Sequence, residues 1–370
     1  MQDGYFVIDS ITHAFDMREE NFASPRYAGA INGLLQAIYA TAPAGYGLDP
    51  AATVRDWTVE ETANILFRES NTDVAVMHTT PIYFYKDGLS GFEKSLEAVK
   101  SYPNRFIGAY IAADPLQGKK AVDSMVYQAQ TIGNPLGLKL YPISWNGETV
   151  ANMRMDDPET AFPLYEKAQE LGIKVVAVHK SVPLGPSPSA DAFHPRDVEG
   201  AADAFPDMQF EIVHGGAAFT EETAWLVGRY PNIWINLETT NLILGNNPRA
   251  FAEIIAGLMH VGGESVLDRI VWASGASNCH PRPSLEAMAT FELPEDVRSR
   301  YGAFFPVPQL TDEHRRKIFS ENYARLHGLD LDAIKAAIAD DEFSRAQAEG
   351  LAAPWSTTPL RDSVLTPVAV

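Results

Sequence analysis

Eight short apolar runs, rich in Val and Ile, recur along the chain: "YFVID", "DVAVMHTT", "RFIGAYIAADP", "LGLKLYPI", "IKVVAVHK", "MQFEIVHGG", "NIWINLETT" and "RIVWASGAS". Between them lie segments with apolar residues at helical spacing, among them "TVEETANILFRES", "GFEKSLEAVKSYP", "ETAFPLYEKAQELG", "TEETAWLVGRYP" and "PRAFAEIIAGLMHVG". Several of these end in Gly or Pro, which stop helices. Strands that lack polar alternation are expected where both faces are covered, as in a parallel sheet under helices. Eight such units over roughly 270 residues fit a (β/α)8 TIM barrel, whose usual size is about 250. A doubly wound sheet is the rival, but it has fewer strands and a Gly-rich first turn, which "SITHAF" lacks.

The reading places one barrel domain over residues 1–350, with an insertion at 14–70 after strand 1, and an extended tail over 351–370. Within the insertion, helices are expected around Tyr27–Tyr39 and Val59–Ser70. Two further helical patterns, "DEHRRKIFSENYARLHG" and "LDAIKAAIADDEFSRAQAE", close the domain. The Pro- and Ser-rich "PLGPSPSADAFHP" after strand 5 reads as a partial lid over the barrel mouth.

Composition narrows the setting. No apolar run approaches the roughly 20 residues of a membrane helix, and "MQDGYFVID" lacks the regions of a signal peptide. The single cysteine, Cys279, excludes an intramolecular disulfide framework and suits a reducing cytoplasm. A net charge of −19 argues against nucleic acid as a partner. A cytoplasmic protein, away from membranes and assembling as a homo-oligomer, is the expectation.

Chemistry on a TIM barrel belongs at the C-terminal ends of the strands. Reading those ends yields Asp9 and His13, His78, Lys139, His179, His214, Glu238, and the run Ser274 to His280. Five of the nine histidines fall at this one predicted rim, which points to a metal or acid–base centre. Lys139 sits inside a strand. A buried ammonium there either pairs with a carboxylate such as Glu211 or Glu238, or waits for an anionic ligand. Tyr83, Phe84 and Trp145 could line a pocket for a planar ring, with His280 beside the ligand. Cys279 next to His280 resembles a nucleophile–base pair in composition only.

The order "ID…TH", "GLKLYP", "VVAVHK", "EIVHGG", "DRIVWAS" and "ENYARLHGL" resembles the amidohydrolase-related, decarboxylase-like branch of the amidohydrolase superfamily. Aminocarboxymuconate-semialdehyde and resorcylate decarboxylases belong to it. The resemblance implies a metal-bearing barrel in which "D-x-H-x-H" on strand 1, a strand-5 histidine and an aspartate after strand 8 hold the ion. It implies His13 and His179 as metal ligands, and His214 as the acid–base residue, with Asp9 beside it in a catalytic role.

The match is incomplete. Ile11 stands where the first histidine is expected and Gly275 where the aspartate is expected, and neither side chain can coordinate. His78 and Glu238 are the available substitutes. The expectation is therefore no cofactor, or one weakly bound divalent metal with zinc first, and no tightly held zinc at full occupancy. The implied function is that of a hydrolase or decarboxylase acting on a small carboxylated cyclic substrate. The alternative is an inactive homologue that binds a ligand or serves an assembly. In either case the pocket is expected to prefer anions. Period-two alternation would put residues 9, 11 and 13 on one face, so His13, His179 and His214 should converge on one cavity with Ile11 beside them.

Overall fold

Each predicted run contributes a parallel strand. In a computed structural model describing residues 1–186, 188 and 190–365, these are β1 (Ile8–Thr12), β2 (Val74–His78), β3 (Phe106–Ala112), β4 (Gly137–Leu140), β7 (Val175–His179), β8 (Gln209–Val213), β9 (Ile233–Asn236) and β10 (Ile270–Val271). A small antiparallel hairpin, β5 (Ile143–Trp145) and β6 (Val150–Asn152), is inserted after β4. Ser187 and Ser189, in the segment read as a lid, and the last five positions of the tail lie outside the described residues.

The eight strands form one sheet in the order β1-β2-β3-β4-β7-β8-β9-β10. Backbone bonds then close it between the first and last strands: Ser10 N–H to the Trp272 carbonyl (3.1 Å), Gly275 N–H to that of Ile11 (3.0 Å) and Ser277 N–H to that of His13 (3.1 Å). Asp9 strengthens this seam, its Oδ1 accepting from Ser274 N–H at 2.8 Å. Helices on the outside bury the other strand face, with Phe210 and Ile212 of β8, for example, packed among residues of the surrounding helices. The helical run Pro248–Arg269 has the length and composition of a membrane span, but 61% of its most apolar window is buried inside this fold, as a core helix requires.

The barrel interior holds Ile8, Ile11, Val74, Val76, Tyr110, Val175, Ala177, Val213, Trp234, Val271 and Ala273. Gly137 lies opposite Tyr110 in the register, and a Cβ there would overlap the Tyr110 ring. Strand β1 departs from strict alternation. Asp9 pairs with Ala75 and Thr12 with Met77, so one extra residue bulges out between them. Ala75 and Met77 face the helix Val59–Phe67. Asp9 therefore shares the outward face, while Ile11 joins the interior cluster. The expected common face of 9, 11 and 13 is corrected accordingly: the bulge removes Asp9 from it.

The insertion covers the barrel mouth. Its helices, Pro25–Ala40 and Val59–Phe67, fall where the periodicity put them, the second with a Thr58–Glu61 capping box. Ala28, Ile31, Leu35 and Tyr39 from the first of these pack with Tyr141, Ile143 and Phe193 from segments after the strands. Tyr27 stacks on Phe84 (centroids 4.8 Å apart, 27° between planes) and meets Trp145 edge-on at 5.5 Å. The tail is a strap as far as it is described. Trp355 is fully buried, and Glu69 accepts from Trp355 N–H (2.6 Å) and from the Thr357 N–H (2.7 Å) and hydroxyl (2.6 Å). The last helical pattern breaks into Leu331–Ile338 and Glu342–Glu349, because Asp341 caps the second helix and pairs with the buried Arg105.

Candidate active site

At the end of β7, His179 Nε2 lies 2.8 Å from the Val182 carbonyl, and its Nδ1 is 2.9 Å from Nε2 of His214. The other nitrogen of His214, Nδ1, faces Glu238 twice: the carbonyl at 2.9 Å and Oε2 at 2.8 Å. All three residues are at most 5% exposed. These contacts fix a proton count. Carbonyl and carboxylate oxygens only accept, so His179 Nε2 and His214 Nδ1 must both carry hydrogen. One more proton lies between the two rings. Three protons on two imidazoles make one positive charge, balanced by Glu238.

The electrostatics agree with that count. Burial alone would raise the Glu238 carboxyl, but the charge and hydrogen bond of His214, with His13 and Lys139, take it down to about 2. Burial, then the neighbouring charges of His214 and Lys139, holds His179 well below the ordinary imidazole range. The backbone is strained around this chain of bonds. Ser181, His214 and Thr239 all adopt positive φ, at 65°, 63° and 62°. Side chains other than glycine avoid that region at a cost of about 1–3 kcal/mol each, and such residues cluster at functional sites.

Lys139 lies within electrostatic reach of the same group. It is 1% exposed and forms no hydrogen bond or ion pair with the described residues, so neither Glu211 nor Glu238 pairs with it directly. Its ammonium lies 5.4 Å from the centroid of Tyr141, whose ring stacks on His179 at 4.6 Å. Burial outweighs the attraction of Glu238 and Glu211 and lowers its pKa to about 8. His13 faces the same charges. Its Nδ1 is 2.8 Å from Thr80 Oγ1 and 3.4 Å from the His78 carbonyl. The Thr80 hydroxyl donates to that carbonyl at 3.3 Å, so His13 Nδ1 is the donor to Thr80, and its Nε2 keeps a lone pair with no partner among the described residues. Burial lowers His13 to about 4, which leaves it a neutral base.

The other predicted residues divide. His78 stacks flat on Tyr110 (4.0 Å, 21°) and stands edge-on to His13, held neutral by burial and by Lys139. Asp9 sits at the seam, its Oδ2 buried without a partner, and burial raises its pKa to about 7. Phe84 and Trp145 belong to the aromatic cluster above the mouth. Tyr83 turns the other way, into an outer cleft of about 300 Å³ with Phe92, Asp114 and Gln128. His280 lies outside this constellation: its Nε2 is 3.0 Å from Glu69, under the strap, between Tyr46 and Trp355. Glu211, read only as a partner for Lys139, instead accepts from Tyr110 OH and from Asn236 Nδ2 (2.9 Å).

The donor set does not fit a metal ion. Both ring nitrogens of His179 are committed, and so are both of His214. Ile11 is apolar and buried. A Cβ on Gly275 would lie 2.5 Å from Glu238 Oε1, so the carboxylate of Glu238 fills the room a strand-end side chain would need there. Among the described residues no group of three or more His, Cys, Asp or Glu side chains is arranged to hold an ion.

Comparison with known proteins places the chain among relatives of this architecture. Residues 51–329, about three quarters of the sequence, match the family described as Amidohydrolase. No curated protein sequence matches the chain. Among solved structures, it resembles an uncharacterized TIM-barrel protein from Bordetella bronchiseptica (18% identity, TM-score 0.61), over 86% of this chain and 97% of that one. It also resembles 2,6-dihydroxybenzoate decarboxylase from Rhizobium (12% identity, TM-score 0.55), over 88% of this chain and 99% of the other. A third is 5-carboxyvanillate decarboxylase from Novosphingobium aromaticivorans, complexed with manganese and a nitrobenzoic acid (14% identity, TM-score 0.56), over 89% and 97%. At these identities the likeness bears on fold alone.

Proposed function

The chain belongs to the amidohydrolase family, and on that footing we propose that it is a metal-independent hydrolase of small cyclic carboxylates. The observation that carries this reading is a free base and an unpaired ammonium buried within each other's electrostatic reach: His13 Nε2 and Lys139 Nζ. The substrate carboxylate or carbonyl oxygen lies against Lys139, below the aromatic cluster of Tyr27, Phe84 and Trp145. His13 takes a proton from water as the water oxygen attacks the ring carbonyl. The carbonyl electron pair moves to oxygen, whose charge the ammonium and the imidazolium pair stabilise. Collapse of that intermediate breaks the bond to the ring heteroatom, which takes the proton back from His13. The ring opens with water added across one bond.

Decarboxylation is the second reading, supported by the proton held between His179 and His214. That proton would go to the ring carbon as carbon dioxide leaves with the C–C bond broken. Hydrolysis is favoured because each N–H of the pair is already donated inside the protein.

The test is a panel of cyclic carboxylates, including lactones and lactams, followed by NMR in buffer containing a strong chelator. Native protein should open at least one ring. His13→Asn should lower turnover by about 10²–10⁴-fold, the range for loss of a positioned base, while still binding. Lys139→Met should weaken binding. Loss of activity on chelation, or full activity in the His13 variant, would sink this mechanism. Release of carbon dioxide by the native protein would favour the second reading. Binding without any turnover would make the protein a ligand-binding member of its family.

A further inference from the structure

We propose that Glu238 is the positioning residue that closes this pocket to metal ions. Two observations independent of any reaction support it. The first is volume: Oε1, Cγ and Cδ of Glu238 lie 2.5, 3.1 and 3.2 Å from where a Cβ on Gly275 would stand. A carboxylate grown from residue 275, beyond β10, and the Glu238 carboxylate therefore compete for one space. The second is the use of lone pairs. Glu238 Oε2 takes the Nδ1 proton of His214, His214 Nε2 meets His179 Nδ1, and His179 Nε2 ends on the Val182 carbonyl. Every ring nitrogen along this line is spent within the protein.

Glu238 is itself held in place. Its N–H donates to Asn236 Oδ1 at 3.0 Å, and Asn236 Nδ2 reaches Ser10 Oγ (3.0 Å) and Glu211 Oε2 (2.9 Å). The end of β9 is thus tied across the barrel to β1 and β8. The carboxylate itself is held at both oxygens, Oε2 by His214 Nδ1 (2.8 Å) and Oε1 by the Thr239 hydroxyl (3.2 Å), so swinging aside to admit a neighbour breaks both contacts. One side chain both fills the volume left empty at Gly275 and immobilises the two histidines. Glycine at 275 and glutamate at 238 are then a matched pair, and restoring a carboxylate at 275 alone will not rebuild an ion site.

This inference deepens the metal-independent reading, but its test uses no turnover, so either can fail alone. Full-length protein, stripped with chelator, is dialysed against zinc. Native protein should hold zinc only substoichiometrically. Ile11→His with Gly275→Asp should gain little, and its melting temperature should fall. Adding Glu238→Ala to those two changes should raise uptake to one zinc per chain and recover part of the lost melting temperature. Equal uptake with and without Glu238 would overturn the proposal. So would stoichiometric zinc in native protein that disappears in His13→Asn or His179→Asn.

Should the triple variant fail to fold, Glu238→Gln gives a second measurement. It keeps the shape and removes the charge, so ¹⁵N spectra of labelled histidines should lose the signature of a doubly protonated ring at neutral pH. An unchanged histidine spectrum would show that Glu238 does not organise the pair.

Discussion

Replacing Lys139 by methionine should make the fold more stable and its pocket less able to bind. In the folded protein the ammonium is displaced from 10.5 to about 8. At about 1.4 kcal/mol per pH unit, that displacement corresponds to about 3 kcal/mol by which burial disfavours the charged form. The sign follows from proton binding. Between pH 8 and 10.5 the unfolded chain holds the proton and the folded one has lost it, so stability rises with pH across that window. Below pH 8 both states are charged and the penalty is complete.

Methionine keeps the length of the stem without the charge. At pH 7 the variant should therefore unfold about 3 kcal/mol less readily, and the native rise in stability between pH 8 and 10.5 should be absent from it. With an unfolding entropy of about 2.1 cal/mol/K per residue, a chain of 370 residues should melt about 4 °C higher. Denaturant titrations at pH 7 and pH 10 measure the first effect, and calorimetry the second. A carboxylate ligand should raise the melting temperature of native protein and do so far less in the variant. If Lys139→Met is instead less stable than native protein at pH 7, the ammonium is held by Glu211 or Glu238 and does not await a ligand.

The strap offers another test. Glu69→Ala removes the acceptor for Trp355, Thr357 and His280 together, so stability should fall by about 3–5 kcal/mol, as for other broken buried pairs. Limited proteolysis should then cut within 350–365, and an unchanged digest would refute the latch. Acid should also destabilise the protein. Burial chiefly depresses His13, His78, His179, His280 and His327. The unfolded chain takes up protons on those histidines as pH falls through about 6.5, while Asp9, Asp73 and Glu211, displaced upward, oppose them in part. The histidines outnumber the carboxylates, so stability should fall as pH drops from about 6.5 toward about 4. Denaturation at stepped pH measures it, and a flat profile would mean that the histidines are charged when buried.

The barrel was legible because burial on two faces writes an apolar run: seven of the eight runs contain their strand, and the first, "YFVID", overlaps only the start of Ile8–Thr12. The convergence of His179 and His214 was legible for a related reason, since each closes a strand of the same sheet. Asp9 was misplaced because a one-residue bulge leaves no trace in composition yet reverses which way the preceding side chains point. Tyr83 and Phe84 part company for want of any period in the turn that carries them. His280 follows a strand end like the others, but its partner, Glu69, is 211 positions away, and nothing local announces it. The significance of Glu238 was hidden for the same reason. Its contacts depend on the empty space at Gly275, and a missing side chain shows its shape only once the neighbours are in place.

The latch beneath the strap also sets an order of assembly. Glu69 is made early, but the groups that bind it, Trp355 and Thr357, lie 286 and 288 positions later. A growing chain can pair its barrel strands one after another as they emerge, because each new strand adds beside the last or closes the ring. The cover over the mouth cannot be secured until Trp355 and Thr357 have been synthesised. Chains that stop short of the strap, or are trimmed back through it, would then keep a barrel and the histidines within it, but with Trp355 missing from beneath the cover and the mouth left unsealed. The barrel comes first and its cover is fastened after it.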